Sequence, residues 1–334
     1  MTAKSVILFA VFCGGLSLNF LGLLNAMPGA VAQGLIWGIM AIGVYITYKL
    51  LDLADLTVDG TMCTGGAVCI MMMLSGHNVW ISMLVATLAG VVAGLVTGLL
   101  HTFFGIPAIL AGILTQLGLY SINLRIMDNK ANQAINVDKF DLLVSLRYIK
   151  LPFISRIGED DKRLVMNTIV VVVLIIIVLI AILYWFFGTE VGASIRSTGA
   201  NPNMSRAQGI NTDMMKIFGL MLSNGIVAFS SALYAQYQGF GDINAGRGAI
   251  VIGLAAVIIA QVIFGKIHCN FAFKLLFVAL GGVIYYIVLQ IVLWLGMNAN
   301  DLKLISALIV ATFLAIPHLR EKYFSGLIKK GGNN

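Results

Sequence analysis

The chain has 334 residues, of which 60% are hydrophobic and 10% charged, against roughly 45–50% and 25% in soluble globular domains. So few charges cannot cover the surface of a soluble protein this long, which excludes that class. Much of the net charge of +7 sits at the C-terminus in Arg320, Lys322, Lys329 and Lys330. That cluster marks the cytoplasmic flank of a last span and does not point to a nucleic-acid partner.

Apolar windows of about 20 residues match the thickness of a bilayer core. Taken in order they predict an all-α polytopic membrane fold of about ten transmembrane helices, at 5–24, 31–49, 60–75, 79–100, 104–127, 164–187, 216–237, 248–265, 273–295 and 302–318. Residues 1–25 are read as an uncleaved N-terminal span, because the proline of Ala26-Met27-Pro28 makes a poor cleavage site. The transmembrane domain then runs over 26–323, and 324–334 form a tail. Lys4, Lys49, Arg196, Arg206, Lys216, Lys266, Lys274 and the C-terminal cluster fall on one side, against Arg247 and Lys303 in the opposite short loops. The positive-inside rule therefore places both termini in the cytoplasm.

The first break in the apolar pattern is Leu51-Asp52-Leu53-Ala54-Asp55-Leu56-Thr57-Val58-Asp59-Gly60, followed by Thr61, Thr64 and Gly65-Gly66. Carboxylates at membrane depth normally face a partner or a water-filled path, and irregular backbone there lines a cavity or is buried in protein. Asp55, Thr57, Asp59, Thr61 and Thr64 are therefore candidate pathway residues, whereas Asp52 fits equally a cytoplasmic turn paired with Lys49. Asn224 and Gln236 lie within later apolar spans. The stretch Gln236 to Gly248, with Asn244, is a loose polar and glycine-rich counterpart in the second half, the kind of pairing that points to a transport path. Leu74-Ser75-Gly76-His77-Asn78 resembles an ATPase signature only superficially. Gly90, Gly94 and Gly98 form a stripe for close helix packing, within the chain or between subunits.

Two longer polar segments remain. Residues 128–163 form an extracellular loop of balanced charge, and 188–215 form a cytoplasmic one. Within the latter, Asn201 is a preferred N-cap, Pro202 suits the first helical position, and Gly209 can close the helix in the left-handed conformation. About two turns are too short to be stable alone in water, so this helix braces a loop or docks against a partner. The four histidines and four cysteines lack metal-ligand or catalytic spacing, and no phosphate-binding GxxxxGK[ST] occurs. The chain is thus read as a non-enzyme that binds no cofactor. Any ATP and Mg would be used by another subunit.

The Asp55-Leu56-Thr57-Val58-Asp59-Gly60 stretch with Gly65-Gly66-Ala67 resembles permeases for branched-chain amino acids, ribose and related solutes. Val191-Gly192-Ala193-Ser194-Ile195-Arg196-Ser197-Thr198-Gly199-Ala200-Asn201-Pro202, continuing through Arg206-Ala207-Gln208-Gly209-Ile210-Asn211, is similar to their cytoplasmic loop. The resemblance runs from Gln33 to about Tyr323, and the tryptophan/tyrosine-type importers are the most similar subgroup. It implies a bacterial plasma-membrane ABC importer permease that pairs with a second permease copy, two cytoplasmic ATPase subunits and an extracellular solute-binding protein. It also implies a coupling helix at Asn201–Gly209 that contacts the ATPase, with Glu190, Arg196 and Arg206 as polar contacts. Two alternatives stay open: an ion-coupled secondary carrier using Asp55 or Asp59, and an importer of the same family for a nucleoside or sugar.

Overall fold

A computed structural model of the chain describes residues 20–137, 140, 142–145, 167–265, 267 and 270–295, with scattered helical positions between 304 and 315. The spans expected at 5–24 and 302–318 fall largely outside the described residues. So do most of the 128–163 loop and all of the 324–334 tail.

Helix α1 (Phe20–Tyr45) passes into a π-helical turn, Ile46–Leu50. Then come α2 (Thr57–Leu74), α3 (Val79–Thr102), α4 (Ala108–Ile126), strand β1 (Asn132–Ala134) and α5 (Thr168–Gly188). The second half holds α6 (Glu190–Ala200), α7 (Pro202–Ala207), α8 (Thr212–Gln238), strand β2 (Phe240–Asp242), α9 (Ala249–Phe264) and α10 (Phe271–Trp294). Seven of these helices are long and apolar enough to cross a membrane among the described residues: α1 with its π turn, α2, α3, α4, α5, α8 and α10. The chain is a multi-pass membrane protein.

Three expectations are corrected. Pro28 lies inside α1, where a break between two spans was expected. Its ring removes one backbone hydrogen bond, a defect that membrane helices tolerate when their surroundings re-satisfy the freed group. The expected span 248–265 is helical as α9, but its 16 residues extend about 24 Å, short of the roughly 30 Å core. The 188–215 segment holds two helices and not one, because Thr189 caps α6 by accepting from the Gly192 N–H at 3.4 Å.

The core centres on α1 and α8. Helix α8 packs on α3, α2 and α1, while α10 lies along α1 with α9 against both. Small residues permit these close crossings. A Cβ added at Gly94 would stand 2.8 Å from Met221 Cα, and one at Gly98 would stand 3.1 Å from Ile217 Cα. The stripe on α3 is therefore internal packing against α8, which removes any need for a subunit interface to explain it. By contrast α5 is apolar all round and mostly exposed, with Leu174, Ile177, Ile182 and Trp185 outward, as expected of a helix facing lipid.

Strands β1 and β2 pair antiparallel, Asn132 opposite Asp242 and Ala134 opposite Phe240. This short ribbon was not expected in an all-α chain. It ties the residues after α4 to those after α8. From there Ile243 to Gly248 run back along α2, where the Cys63 thiol donates to Ile243 O at 2.9 Å and accepts from the Gly246 N–H at 3.2 Å. The Ser75-Gly76-His77-Asn78 stretch is a turn between α2 and α3, with Gly76 at φ 86° and Asn78 as the N-cap of α3.

Candidate functional site

The irregular linker 51–56 separates the π turn from α2. Leu51 packs into the notch left by Gly219 on α8, and Leu56 lies over Gly112 on α4, where an added Cβ would meet its backbone nitrogen at 2.8 Å. Asp52 is exposed at φ 55° and makes no ion pair with Lys49, so the alternative of a paired turn is not seen. Asp55, three residues on, is only 3% exposed.

Its carboxylate organises a buried polar cluster. Oδ1 accepts the Thr57 N–H at 2.9 Å, at the start of α2, and Oδ2 accepts from Asn224 Nδ2 at 2.7 Å. The Asn224 Oδ1 in turn accepts the Thr61 hydroxyl at 2.7 Å, while Nδ2 also donates to Leu220 O at 3.0 Å. Every donor and acceptor of the Asn224 amide is therefore engaged. Burial holds the Asp55 carboxyl above the ordinary carboxylate range, while the hydrogen bonds from Thr57 and Asn224 act in the opposite direction. No cation pairs with it among the described residues.

A second chain of hydroxyls joins at Thr57. Its Oγ1 lies 2.7 Å from that of Thr97 on α3, which donates at 2.9 Å to Thr115 on α4. Thr97 and Thr115 were missed by sequence reasoning. A lone threonine in an apolar span looks like any residue that bonds back to its own helix, as both do here to Ala93 O and Ala111 O. Nothing in the sequence pairs one such residue with another.

Asp59 serves another purpose. Oδ2 accepts the Gly248 N–H at 3.0 Å and Oδ1 the Ile250 N–H at 2.9 Å. It thus caps the start of α9 from another helix, where the cap residue Gly248 offers no side chain. A carboxylate at a helix N-terminus complements both the free N–H groups and the helix dipole. Asp59 also borders a cavity of about 350 Å³ with Cys63, Gln116, Tyr120, Asn123 and Arg247.

The other expected pathway residues stand apart from the Asp55 cluster. Thr64 donates to Gly60 O at 2.9 Å within its own helix. Gln236 is fully buried, and its amide accepts the Leu143 N–H at 3.2 Å and donates to Cys69 Sγ at 3.6 Å. It therefore holds residues 142–145 against the bundle. Asn244 is exposed in the loop, its N–H bonded to Asp242 at 2.8 Å. Asp55, Thr57, Thr61 and Asn224 meet in one place, and Asp59, Thr64, Gln236 and Asn244 do not join them.

In the 190–213 segment the expected cap, proline and closing glycine all occur. Asn201 caps α7 by accepting the Met204 N–H at 3.1 Å, Pro202 occupies its first turn, and Gly209 has φ 83°. Only Ser205 of α7 is buried, and Met204 is 59% exposed. Arg206 donates to Thr212 Oγ1 at 2.7 Å and to Asp213 Oδ1 at 3.2 Å, which staples α7 to the start of α8. Glu190 and Arg196 are exposed on α6. That helix in turn rests on the π turn and linker, since a Cβ on Gly199 would stand 2.7 Å from Leu51 Cα.

Residues 27–316 match the family described as "Branched-chain amino acid transport system / permease component". The chain is 36% identical over 303 residues to the tyrosine transport system permease protein of Clostridioides difficile (strain R20291), covering 89% of this chain and 92% of that one. It is 31% identical over 301 residues to an uncharacterized protein of Rickettsia prowazekii (strain Madrid E), covering 90% and 99%. Over 190 residues it is 30% identical to an autoinducer 2 import system permease protein of Yersinia pseudotuberculosis (strain PB1/+), covering 56% and 48%. No solved structure matches it.

Proposed function

The chain belongs to the branched-chain amino acid transport system permease family, and from that premise we propose that it is the passage for an aromatic amino acid in an ATP-driven importer. Membership makes it the permease subunit of an ABC-type importer for a small solute, and not an enzyme. The observation that carries the solute is the 36% identity, over nearly the full length of both chains, to a tyrosine transport permease.

In this reading the permease works as a dimer, most simply of two copies of this chain. Two ATPase subunits sit on the cytoplasmic side, and an extracellular binding protein delivers the solute. The short-loop arginines and lysines support placing 188–215 inside the cell. Helix α7 is the coupling helix, and its exposed Met204 face is the surface offered to the ATPase. Arg206 keeps that helix rigid by anchoring it to α8, and an exposed pair of this kind acts by orientation more than by energy.

Displacement of α7 reaches the membrane region by contact. Helix α6 bears on Leu50 and Leu51 through Gly199, and the linker leads directly to Asp55 and its partner Asn224 on α8. Closure of the ATPase pair on ATP would thereby shift the linker against α8, and the permease halves would rock between outward- and inward-open states. Specificity resides largely in the binding protein.

The test is uptake into proteoliposomes containing this permease, its ATPase and its binding protein. ATP-dependent accumulation of tyrosine, tryptophan or phenylalanine is expected. Uptake of a nucleoside or sugar in their place would overturn the solute assignment. Uptake driven by an ion gradient without ATP would overturn the coupling.

A further inference from the structure

The cavity beside Asp59 is lined by polar groups that internal contacts satisfy only in part. Asn123 on α4 is fully buried, yet among the described residues neither its amide oxygen nor its amide nitrogen has a partner. Buried polar atoms without hydrogen bonds are rare and destabilising, so a group that satisfies them is expected on this face. Arg247, on the loop before α9, is an exposed guanidinium at the cavity wall, with no ion pair among the described residues. The Asp59 oxygens each accept one backbone N–H, which leaves further lone pairs free to accept. Tyr120 and Gln116 on α4 complete the wall.

We propose that this cavity is a transient solute subsite that reads the zwitterionic end of an amino acid. The Arg247 guanidinium takes the carboxylate, in the two-pronged geometry that suits it. Asp59 accepts from the ammonium group, with the Asn123 amide buried in the wall beside it. Tyr120 flanks the side chain with an aromatic surface. The volume of about 350 Å³ lies within the range of roughly 300–1,000 Å³ for small-molecule sites. A sugar or nucleoside offers Arg247 no carboxylate, so the charge pattern itself favours an amino acid.

The site is also placed where the fold is least continuous. The loop Ile243–Gly248 is irregular backbone running along α2, and Gly246 packs on the Asp59 backbone so closely that no side chain would fit there. Irregular backbone at membrane depth is tolerated where it lines a cavity. Asp59 thus joins two roles, since the carboxylate that caps α9 is also a wall of the cavity. Solute engaging Asp59 would act on the start of α9 at the same time.

This inference rests on the aromatic amino acid reading, and the experiment separates the two. Initial rates of ATP-driven tyrosine uptake are compared for the reconstituted wild-type complex and for Arg247→Gln, Arg247→Lys and Asn123→Leu, each assembled to the wild-type level by size-exclusion chromatography. Arg247→Gln is expected to lower the maximal rate about tenfold, as for loss of one charge-assisted contact. Arg247→Lys should recover part of that loss, and Asn123→Leu should also slow uptake. Because the binding protein sets the half-saturating concentration, the defect should appear in the maximal rate. Wild-type rates in both Arg247→Gln and Asn123→Leu overturn the subsite and leave the function standing. Equal defects in Arg247→Gln and Arg247→Lys would mark a structural role for Arg247 and also overturn it. If the wild-type complex imports no aromatic amino acid, both readings fall together.

Discussion

Residues 51–60 and residues 190–213 are both polar interruptions between apolar helices, yet they use their polar side chains in opposite ways. In the first, Asp55 reaches across the bundle to Asn224, and Thr57 reaches Thr97 on another helix. In the second, Asn201 bonds three residues ahead and Arg206 bonds six and seven residues ahead. The first region is buried and its partners are distant in sequence. The second is exposed and its partners are local. A buried polar group must find a partner wherever the fold supplies one, whereas an exposed one has water as an alternative and needs only its neighbours.

The largest effect is therefore expected at Asn224. Replacing it with leucine leaves Asp55 without its side-chain donor and Thr61 without its acceptor. A loss of about 1–3 kcal/mol follows for buried polar groups left without their hydrogen-bond partner. The check is thermal unfolding of the purified permease in detergent, and a melting temperature unchanged from wild type would show that the cluster is not a stabilising clamp.

Asp59→Asn should be milder. The amide keeps one oxygen for an α9 N–H but loses the charge that complements the helix dipole, a difference of roughly 0.5–2 kcal/mol. Uptake should fall more than dimer formation does. Normal uptake in this variant would remove Asp59 from the path and leave it as a cap only.

The smallest global effects belong to the 190–213 segment. Asn201→Ala should cost about 1 kcal/mol of local helix stability, and Gly209→Ala about 1–2 kcal/mol for a left-handed residue bearing a Cβ. Arg206→Gln removes an exposed pair worth no more than about 1 kcal/mol. None of the three should move the melting temperature of the bundle appreciably. All three should weaken co-purification with the ATPase or uncouple its ATP hydrolysis from uptake. Wild-type assembly, hydrolysis and uptake across the set would argue that α7 merely braces the loop.

Legibility in the sequence followed the same division. The cap, the proline and the closing glycine of α7 were readable because helix ends obey rules within a few residues. The helix α6 before it was not anticipated, because its pattern is weak and its stability comes from a glycine packed on the linker. Six of the seven crossings lie within four residues of their expected limits. The first described helix differs because a proline breaks a helix in water more surely than in a membrane bundle. Among the pathway residues, Asp55 and Asp59 look equivalent in the sequence, four positions apart in one motif. The fold sends one to α8 and the other to α9.

By itself the sequence determined that this chain lives in a membrane, that it belongs to a permease family, and that a short capped helix stands outside the apolar core. The first follows from composition, the second from similarity to known permeases, and the third from interactions spanning a few residues, where local chemistry leaves few alternatives. Only the tertiary structure decided that Asp55, Asn224 and Thr61 meet, that Thr57 continues through Thr97 to Thr115, and that Asn123 is buried facing a cavity. Such contacts join residues as many as 169 positions apart, and in an apolar interior each polar group is committed to whichever partner helix packing brings within reach.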